Sequence, residues 1–208
     1  DYVVIGSGLA GLTFALEASK HGTVCVLTKA ELFETNTSYA QGGIAAAVGE
    51  TDSWKLHEKD TLTAGAGLCD REAVRFLVQQ APEAIQWLLE IGARFDTEVG
   101  NGQANPLSLG REGGHSRNRI VHHQDQTGWE IERAVTESVR ANARIKIVEN
   151  AFVTELLLHD GRCMGAAAVL PEIGLRSFVA PVTMLATGGC GRMYQHTTNP
   201  RIATADGV

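Results

Sequence analysis

Six residues near the N-terminus constrain this chain more than any others. Gly6-Ser7-Gly8-Leu9-Ala10-Gly11 follows the apolar run Tyr2-Val3-Val4-Ile5 and precedes apolar residues at helical spacing through position 20. Glycines at the first, third and sixth places between a strand and a helix answer three steric demands: a tight turn, close approach of backbone to a pyrophosphate, and close packing of helix on strand. The helix that opens there presents unpaired amides and the positive end of its dipole to an anion. Thr23 to Thr28 reads as a second strand, so residues 2–28 form a βαβ unit with a parallel strand pair. A glycine-rich turn without a ligand is the plainer alternative, and the flanking strand-helix-strand pattern argues against it.

The second strand ends Leu27-Thr28-Lys29, with Glu31 and Glu34 only later. An acid that would accept from a ribose hydroxyl is missing, which disfavours plain NAD. A lysine there suits a 2′-phosphate, or a flavin dinucleotide held another way.

Composition narrows the classes further. The 208 residues are 44% apolar, enough for one domain-sized core, and the net charge of -6 opposes attraction to nucleic acid or anionic membrane. No apolar run approaches the roughly 20 residues of a membrane span. Cys25, Cys69, Cys163 and Cys190 are scattered without a C-x-x-C pair, the usage of a reduced, cytoplasmic protein. The chain starts at Asp1 without an initiator methionine, leaving room for a removed targeting peptide, and ends as if entering a helix at Ala205-Asp206-Gly207-Val208. It reads as the N-terminal part of a longer protein.

Beyond residue 48 helices are expected over 53–64 and, capped by Asp70, over 71–80; Pro82 suits the first position of another, ended by Gly92. Residues 93–126 look irregular. Thr127-Gly128-Trp129-Glu130 has capping-box spacing ahead of a helix from 128 to 142. Strands are expected over 145–148, 152–158, 165–170, 175–179 and 183–187, two of them joined by an Asp160-Gly161 hairpin. The fold class is α/β: a Rossmann-like domain over 1–208 with a central parallel sheet and a small antiparallel meander.

Val182-Thr-Met-Leu-Ala-Thr-Gly-Gly189 is a strand running into a Gly-Gly turn. With Ser38-Tyr-Ala-Gln-Gly-Gly-Ile44, Arg111-Glu-Gly-Gly114, Asp125-Gln-Thr-Gly128 and Tyr194-Gln-His-Thr-Thr-Asn-Pro200, it resembles the flavoprotein family of fumarate reductase, succinate dehydrogenase and L-aspartate oxidase. The resemblance implies FAD as cofactor, with Gly6, Ser7, Gly8, Leu9, Ala10 and Gly11 at its pyrophosphate and Lys29 at its adenosine end. Asn36, Thr37, Ser38, Tyr39, Ala40, Gln41, Gly42 and Gly43 would lie along the ribityl chain and flavin ring, and Phe152 and Val153 near the adenine. Ala186, Thr187 and Gly188 would help to hold FAD, and Asp206 would accept from a flavin hydroxyl. Relatives acting on succinate or fumarate often attach FAD through a histidine in the 34–38 loop. Asn36 falls at that place, so the FAD is expected to be non-covalent. A capping domain, with the family's catalytic arginine, is expected beyond residue 208.

The stretch 111–123 puts three histidines, three arginines and Glu112 within thirteen positions. His115, His122 and His123 lack the i, i+4 spacing and companion ligands of a zinc site, so no metal is expected. No aromatic lies between 96 and 128 to stack on bases, so no nucleic-acid partner is expected either. A solvated loop with surface ion pairs and the wall of a substrate pocket both remain open. The resemblance favours the pocket, because L-aspartate oxidases resemble this chain in carrying glutamate at position 112, where a carboxylate can pair with the ammonium of an α-amino acid. It implies oxidation of L-aspartate to iminoaspartate at the flavin, with oxygen or fumarate as electron acceptor, in NAD biosynthesis with quinolinate synthase downstream. A fumarate reductase or succinate dehydrogenase flavoprotein, and a non-catalytic nucleotide-binding module, are the competing readings.

Overall fold

β1 (Tyr2–Ile5), α1 (Leu9–Ala18) and β2 (Val24–Leu27) form the expected βαβ unit in the computed structural model, which describes residues 1–98 and 106–208. β1 and β2 run parallel, Tyr2 opposite Val24 and Ile5 opposite Leu27. Gly6 takes a φ of 112°, and a Cβ there would lie 2.1 Å from the Ala186 carbonyl oxygen. A Cβ on Gly11 would lie 2.1 Å from the Gly6 carbonyl oxygen. Both glycines are therefore demanded by the close approach of backbones.

The chain then builds a second compact unit, Ala40–Glu130; the first comprises Asp1–Tyr39 and Ile131–Val208. The second unit holds β3 (Ile44–Ala45), α2 (Trp54–Ala64), α3 (Arg71–Glu90), β4 (Leu109–Gly110) and β5 (Ile120–Val121). Ser53 caps α2, accepting from the Leu56 amide, and Asp70 caps α3, accepting from the Ala73 amide at 2.8 Å. The break expected at Pro82 does not occur: α3 is one helix of 20 residues. Proline inside a helix costs about 3 kcal/mol. Val78, Ile85 and Leu88 continue one buried stripe on both sides of it. Each such side chain contributes about 1.5–3 kcal/mol on burial, so the stripe outweighs the break. The segment expected to be irregular supplies two strands of a small antiparallel sheet, order β3-β5-β4. The glycine-rich residues 99–105 lie outside the described residues.

α4 (Thr127–Arg140) carries the chain back to the first unit. It starts one residue before the expected position, so Thr127 lies inside the helix and its hydroxyl accepts from the His123 amide at 3.1 Å. Glu130 accepts from the Arg94 amide at 2.7 Å. The residues of the expected capping box thus serve the preceding turn and Arg94 instead. β6 (Ile145–Val148), β7 (Phe152–His159), β8 (Arg162–Leu170), β9 (Gly174–Val179) and β10 (Val182–Leu185) follow.

In the first unit the sheet order is β10-β1-β2-β6, all parallel. β7, β8 and β9 form the antiparallel meander. Asp160 (φ 49°) and Gly161 (φ 73°) make its first turn, both left-handed as a two-residue hairpin requires. Val3, Ile5 and Leu27 pack with Ala151, Ala166, Ala168 and Ala180. Val4, on the other face of β1, is also fully buried. A parallel strand covered on both sides reads as a continuous apolar run, which is why Tyr2 to Ile5 does not alternate. All four cysteines are free thiols. Among the described residues no helix is long and apolar enough to cross a membrane.

Candidate functional site: a dinucleotide cavity and an acid beside Gly42

A cavity of about 600 Å³ opens in the first unit where β1, β2 and β10 end, with Ile5, Leu27 and Leu185 at its floor. Carboxyl ends of parallel strands are where open α/β sheets bind ligands. Gly6, Ser7, Gly8, Leu9 and Ala10 form one wall, while Gly11 packs behind them on Gly6. Lys29, Asn36 and Thr37 line a second side, and Phe152 and Val153 a third. Ala186, Thr187 and Gly188 stand beside the glycine turn, and Asp206 closes the rim. Ser38 and Tyr39 are engaged locally: the Ser38 hydroxyl donates to the Thr35 carbonyl, and the Tyr39 hydroxyl donates to the Glu34 carboxylate.

The cavity's polar end suits a diphosphate. Gly8, the residue before α1, has no side chain to cap it and the first turn holds no acid; Thr37 Oγ1 takes only the Leu9 amide, so the helix dipole can still act on an anion. A Cβ built on Gly8 would meet only the Thr37 hydroxyl, at 3.8 Å, so backbone is open to close approach there. The Ser7 hydroxyl donates to Thr28 Oγ1 at 2.9 Å, both buried. Thr28 stands where an acidic ribose reader was sought, and its hydroxyl instead fixes the turn. Sequence reasoning passed over Thr28 and also Glu34 and Thr35, which line the cavity. Only Thr28's place at the end of β2 could have signalled it.

Lys29 donates to the Ile202 carbonyl at 2.7 Å and the Thr204 hydroxyl at 2.6 Å, and pairs with Asp206. Lys29 holds the Asp206 carboxyl below its ordinary range. The lysine's charge is thus matched by an acid of the same cavity, which weakens the case for a 2′-phosphate. Phe152 and Val153 give the cavity an apolar surface suited to a flat base.

In the second unit the stretch 111–123 separates into two parts. Arg119 is wholly buried: its guanidinium grips both oxygens of Asp52 at 2.7 and 2.9 Å and reaches Asp60 at 2.7 Å. Asp60 also accepts from the Ser116 amide and hydroxyl. Burial alone would raise the Asp60 pKa, but the Ser116 and Arg119 bonds outweigh it and hold the carboxyl at about 2. His115 Nδ1 lies 3.2 Å from Arg119 Nη1, and its ring sits 5.7 Å from that of His57. Burial and the Arg119 charge push the His57 pKa down. His122 is drawn elsewhere, to Asp96 at 2.9 Å. The solvated loop with surface ion pairs is thus corrected for Arg119, whose pairs are internal and join the stretch to α2 and the turn before it.

Glu112 belongs to the other part. It is exposed, and its Oε1 stands 3.8 Å from where a Cβ on Gly42 would be. The structure therefore brings the acid to the segment singled out for the flavin ring. Gly43 has a packing reason of its own, since a Cβ there would strike the Ile120 side chain at 2.4 Å and the Val121 carbonyl at 2.5 Å. The Ala40 carbonyl accepts from the Gly128 amide at 2.8 Å, and Gln41 is exposed.

The chain is similar to known proteins along its whole length. The L-aspartate oxidase 2-b, chloroplastic, of Nicotiana tabacum is 48% identical over 213 residues, covering all of this chain and 32% of that protein. The L-aspartate oxidase of Streptomyces coelicolor is 48% identical over 215 residues, covering all of this chain and 36% of its own length. The chain thus spans about a third of the curated relatives it matches. Among solved structures, the Sdh1 complex of Mycobacterium smegmatis superposes with a TM-score of 0.91 at 35% identity, over 100% of this chain and 37% of that one. The quinol fumarate reductase of E. coli does so with 0.92 at 28% identity, over 100% and 35%. The sequence pattern of the FAD binding domain matches residues 1–208. FAD is the cofactor of that domain, and the chain belongs to the family of FAD-binding domains.

Proposed function

We propose that this chain is the N-terminal, FAD-binding part of an L-aspartate oxidase, which converts L-aspartate to iminoaspartate for NAD biosynthesis, with oxygen or fumarate as electron acceptor and quinolinate synthase as the next enzyme. The observation that carries this reading is the Glu112 carboxylate beside Gly42. Bound FAD supplies a two-electron acceptor, chemistry that no side chain provides. The chain's own residues hold and orient: residues 6–10 and the start of α1 take the diphosphate, and Phe152 and Val153 take the adenine. Glu112 takes the α-ammonium of the amino acid and so selects it over succinate, which has none. A capping domain beyond residue 208, bearing the remaining substrate contacts, completes the proposal, as does a cytoplasmic location or a plastid one after leader removal.

The structural similarity to Sdh1 and to fumarate reductase supports a second reading, a succinate- or fumarate-acting flavoprotein. Asn36, on the cavity wall without a histidine from 34 to 38, favours the first reading and a non-covalent FAD. In the full-length protein, Glu112→Ala is expected to lower kcat/KM for L-aspartate about 10- to 100-fold, the worth of a hydrogen bond to a charged group. Fumarate reduction should change little, and acid precipitation should leave the yellow colour in the supernatant. Equal loss of both activities would remove Glu112 from substrate selection, and colour held in the pellet would refute the non-covalent FAD.

A further inference from the structure

Glu132, on the part of α4 that belongs to the first unit, is completely buried. Neither of its carboxyl oxygens closes a hydrogen bond. The groups that act on it are the hydroxyls of Thr35 and Thr37, which approach without reaching full hydrogen-bonding geometry. No neighbouring charge contributes. Thr136, one turn further along the same helix face, is the other buried polar group there. Thr37 connects this acid to the cavity: its Oγ1 accepts from the Leu9 amide at 3.3 Å, its hydroxyl is the atom nearest a Cβ on Gly8, and it lines the cavity wall.

A threonine hydroxyl has one proton to give and two lone pairs to receive. When Glu132 is neutral its O–H can donate to Thr37, whose oxygen then accepts from Glu132 and Leu9, leaving the Thr37 proton free for the cavity. When Glu132 is charged, Thr37 must turn its proton inward to the carboxylate and presents only lone pairs to an incoming diphosphate. We infer that Glu132 is a positioning residue for the cofactor, a buried neutral acid whose proton aims the Thr37 hydroxyl at the FAD phosphates. FAD binding then takes up a proton. Burial raises the Glu132 pKa to about 7, the two threonines opposing it, so the uptake falls in an accessible range. A bound diphosphate disfavours a second anion and raises that pKa further. FAD affinity is therefore full below the unliganded pKa and falls as pH rises through it.

The inference rests on FAD as the occupant of the cavity and not on the identity of the substrate, so binding without substrate separates its failure from that of the proposed activity. FAD Kd would be measured on the full-length protein stripped of flavin, by quenching of flavin fluorescence from pH 5.5 to 8.5. Calorimetry at pH 7 in two buffers of different ionisation enthalpy gives the proton count. Among the described residues no histidine lines the cavity, and Lys29 keeps Asp206 ionised, so neither supplies a slope in this range. The wild-type Kd should be level at low pH and rise by up to about tenfold per unit above pH 7, the limit for one linked proton. Glu132→Gln should level the profile near the low-pH affinity, since an amide donates at every pH. Thr37→Val should bind more weakly at pH 6 and lose most of the slope. A level wild-type profile without proton uptake overturns the inference, and so does a slope retained in Glu132→Gln. A slope retained in Thr37→Val overturns the hydroxyl route. The wild-type and Thr37→Val measurements stand even where Glu132→Gln does not fold.

Discussion

The glycine turn of the first unit and the arginine-histidine stretch of the second fail by opposite means. At residues 6–11 the backbone comes so close to itself that one added carbon has nowhere to go, 2.1 Å from a carbonyl at Gly6 and at Gly11 alike. At residues 115–119 the structure depends on what is present: one guanidinium holds two carboxylates out of water. A site made of empty space announces itself locally, because glycine spacing is itself the signal. A site made of compensating charge does not, because the partners of Arg119 lie 59 and 67 residues away in the chain.

Three measurements sharpen that contrast. The largest effect is expected from Arg119→Leu, which leaves Asp52 and Asp60 without their counter-charge; breaking a buried pair from one side costs about 3–5 kcal/mol. Urea denaturation of the full-length protein should show it, and Arg119→Lys should recover only part, since an ammonium cannot grip both Asp52 oxygens in the same fork. A loss within error of zero for Arg119→Leu would mean the network is not structural. Next comes Gly11→Ala, where overpacking costs about 1–3 kcal/mol and α1 must move off β1. Its sharper readout is FAD retention on gel filtration, which should fall for Gly11→Ala and stay near wild type for Arg119→Lys. The smallest is a pH effect. The Asp60 carboxyl titrates at about 2 in the folded protein, against an ordinary 3.8. The stability this contributes is complete above about pH 4 and is lost as pH falls toward 2. Thermal melts between pH 5 and 2.5 should therefore decline less steeply in Asp60→Asn, and parallel declines would place the acid sensitivity elsewhere.

Much of the first unit was legible in the sequence for the same reason. Gly6 and Gly11, the parallel β1-β2 pair and the Asp160-Gly161 turn are each set by local sterics, so spacing alone foretold them. Pro82 and Thr127 misled because other contacts overruled a local rule: a buried stripe runs past Pro82, and the Thr127 and Glu130 side chains accept from the His123 and Arg94 amides instead of from each other's. At the candidate site the cavity wall followed from motif and resemblance together. Thr28, Thr35 and Glu132 did not, since a hydroxyl or an acid has no spacing signature until the fold decides what it faces. Lys29 lines the cavity, but its pairing with Asp206, 177 residues later, was invisible until both ends were folded.

β1 is an interior strand whose two neighbours are made at very different times. Val24, the partner of Tyr2 on one side, follows it by 22 residues, but Val182, on the other side, leaves the ribosome 180 residues after Tyr2. At synthesis rates of about 5–20 residues per second that interval is roughly 10–40 s, during which β1 offers an unpaired edge to any other nascent strand. Production of this protein is therefore most vulnerable during translation itself. Slower elongation at low temperature lengthens the exposure, and a chaperone that shields the emerging β1 shortens it, before any flavin has a place to bind.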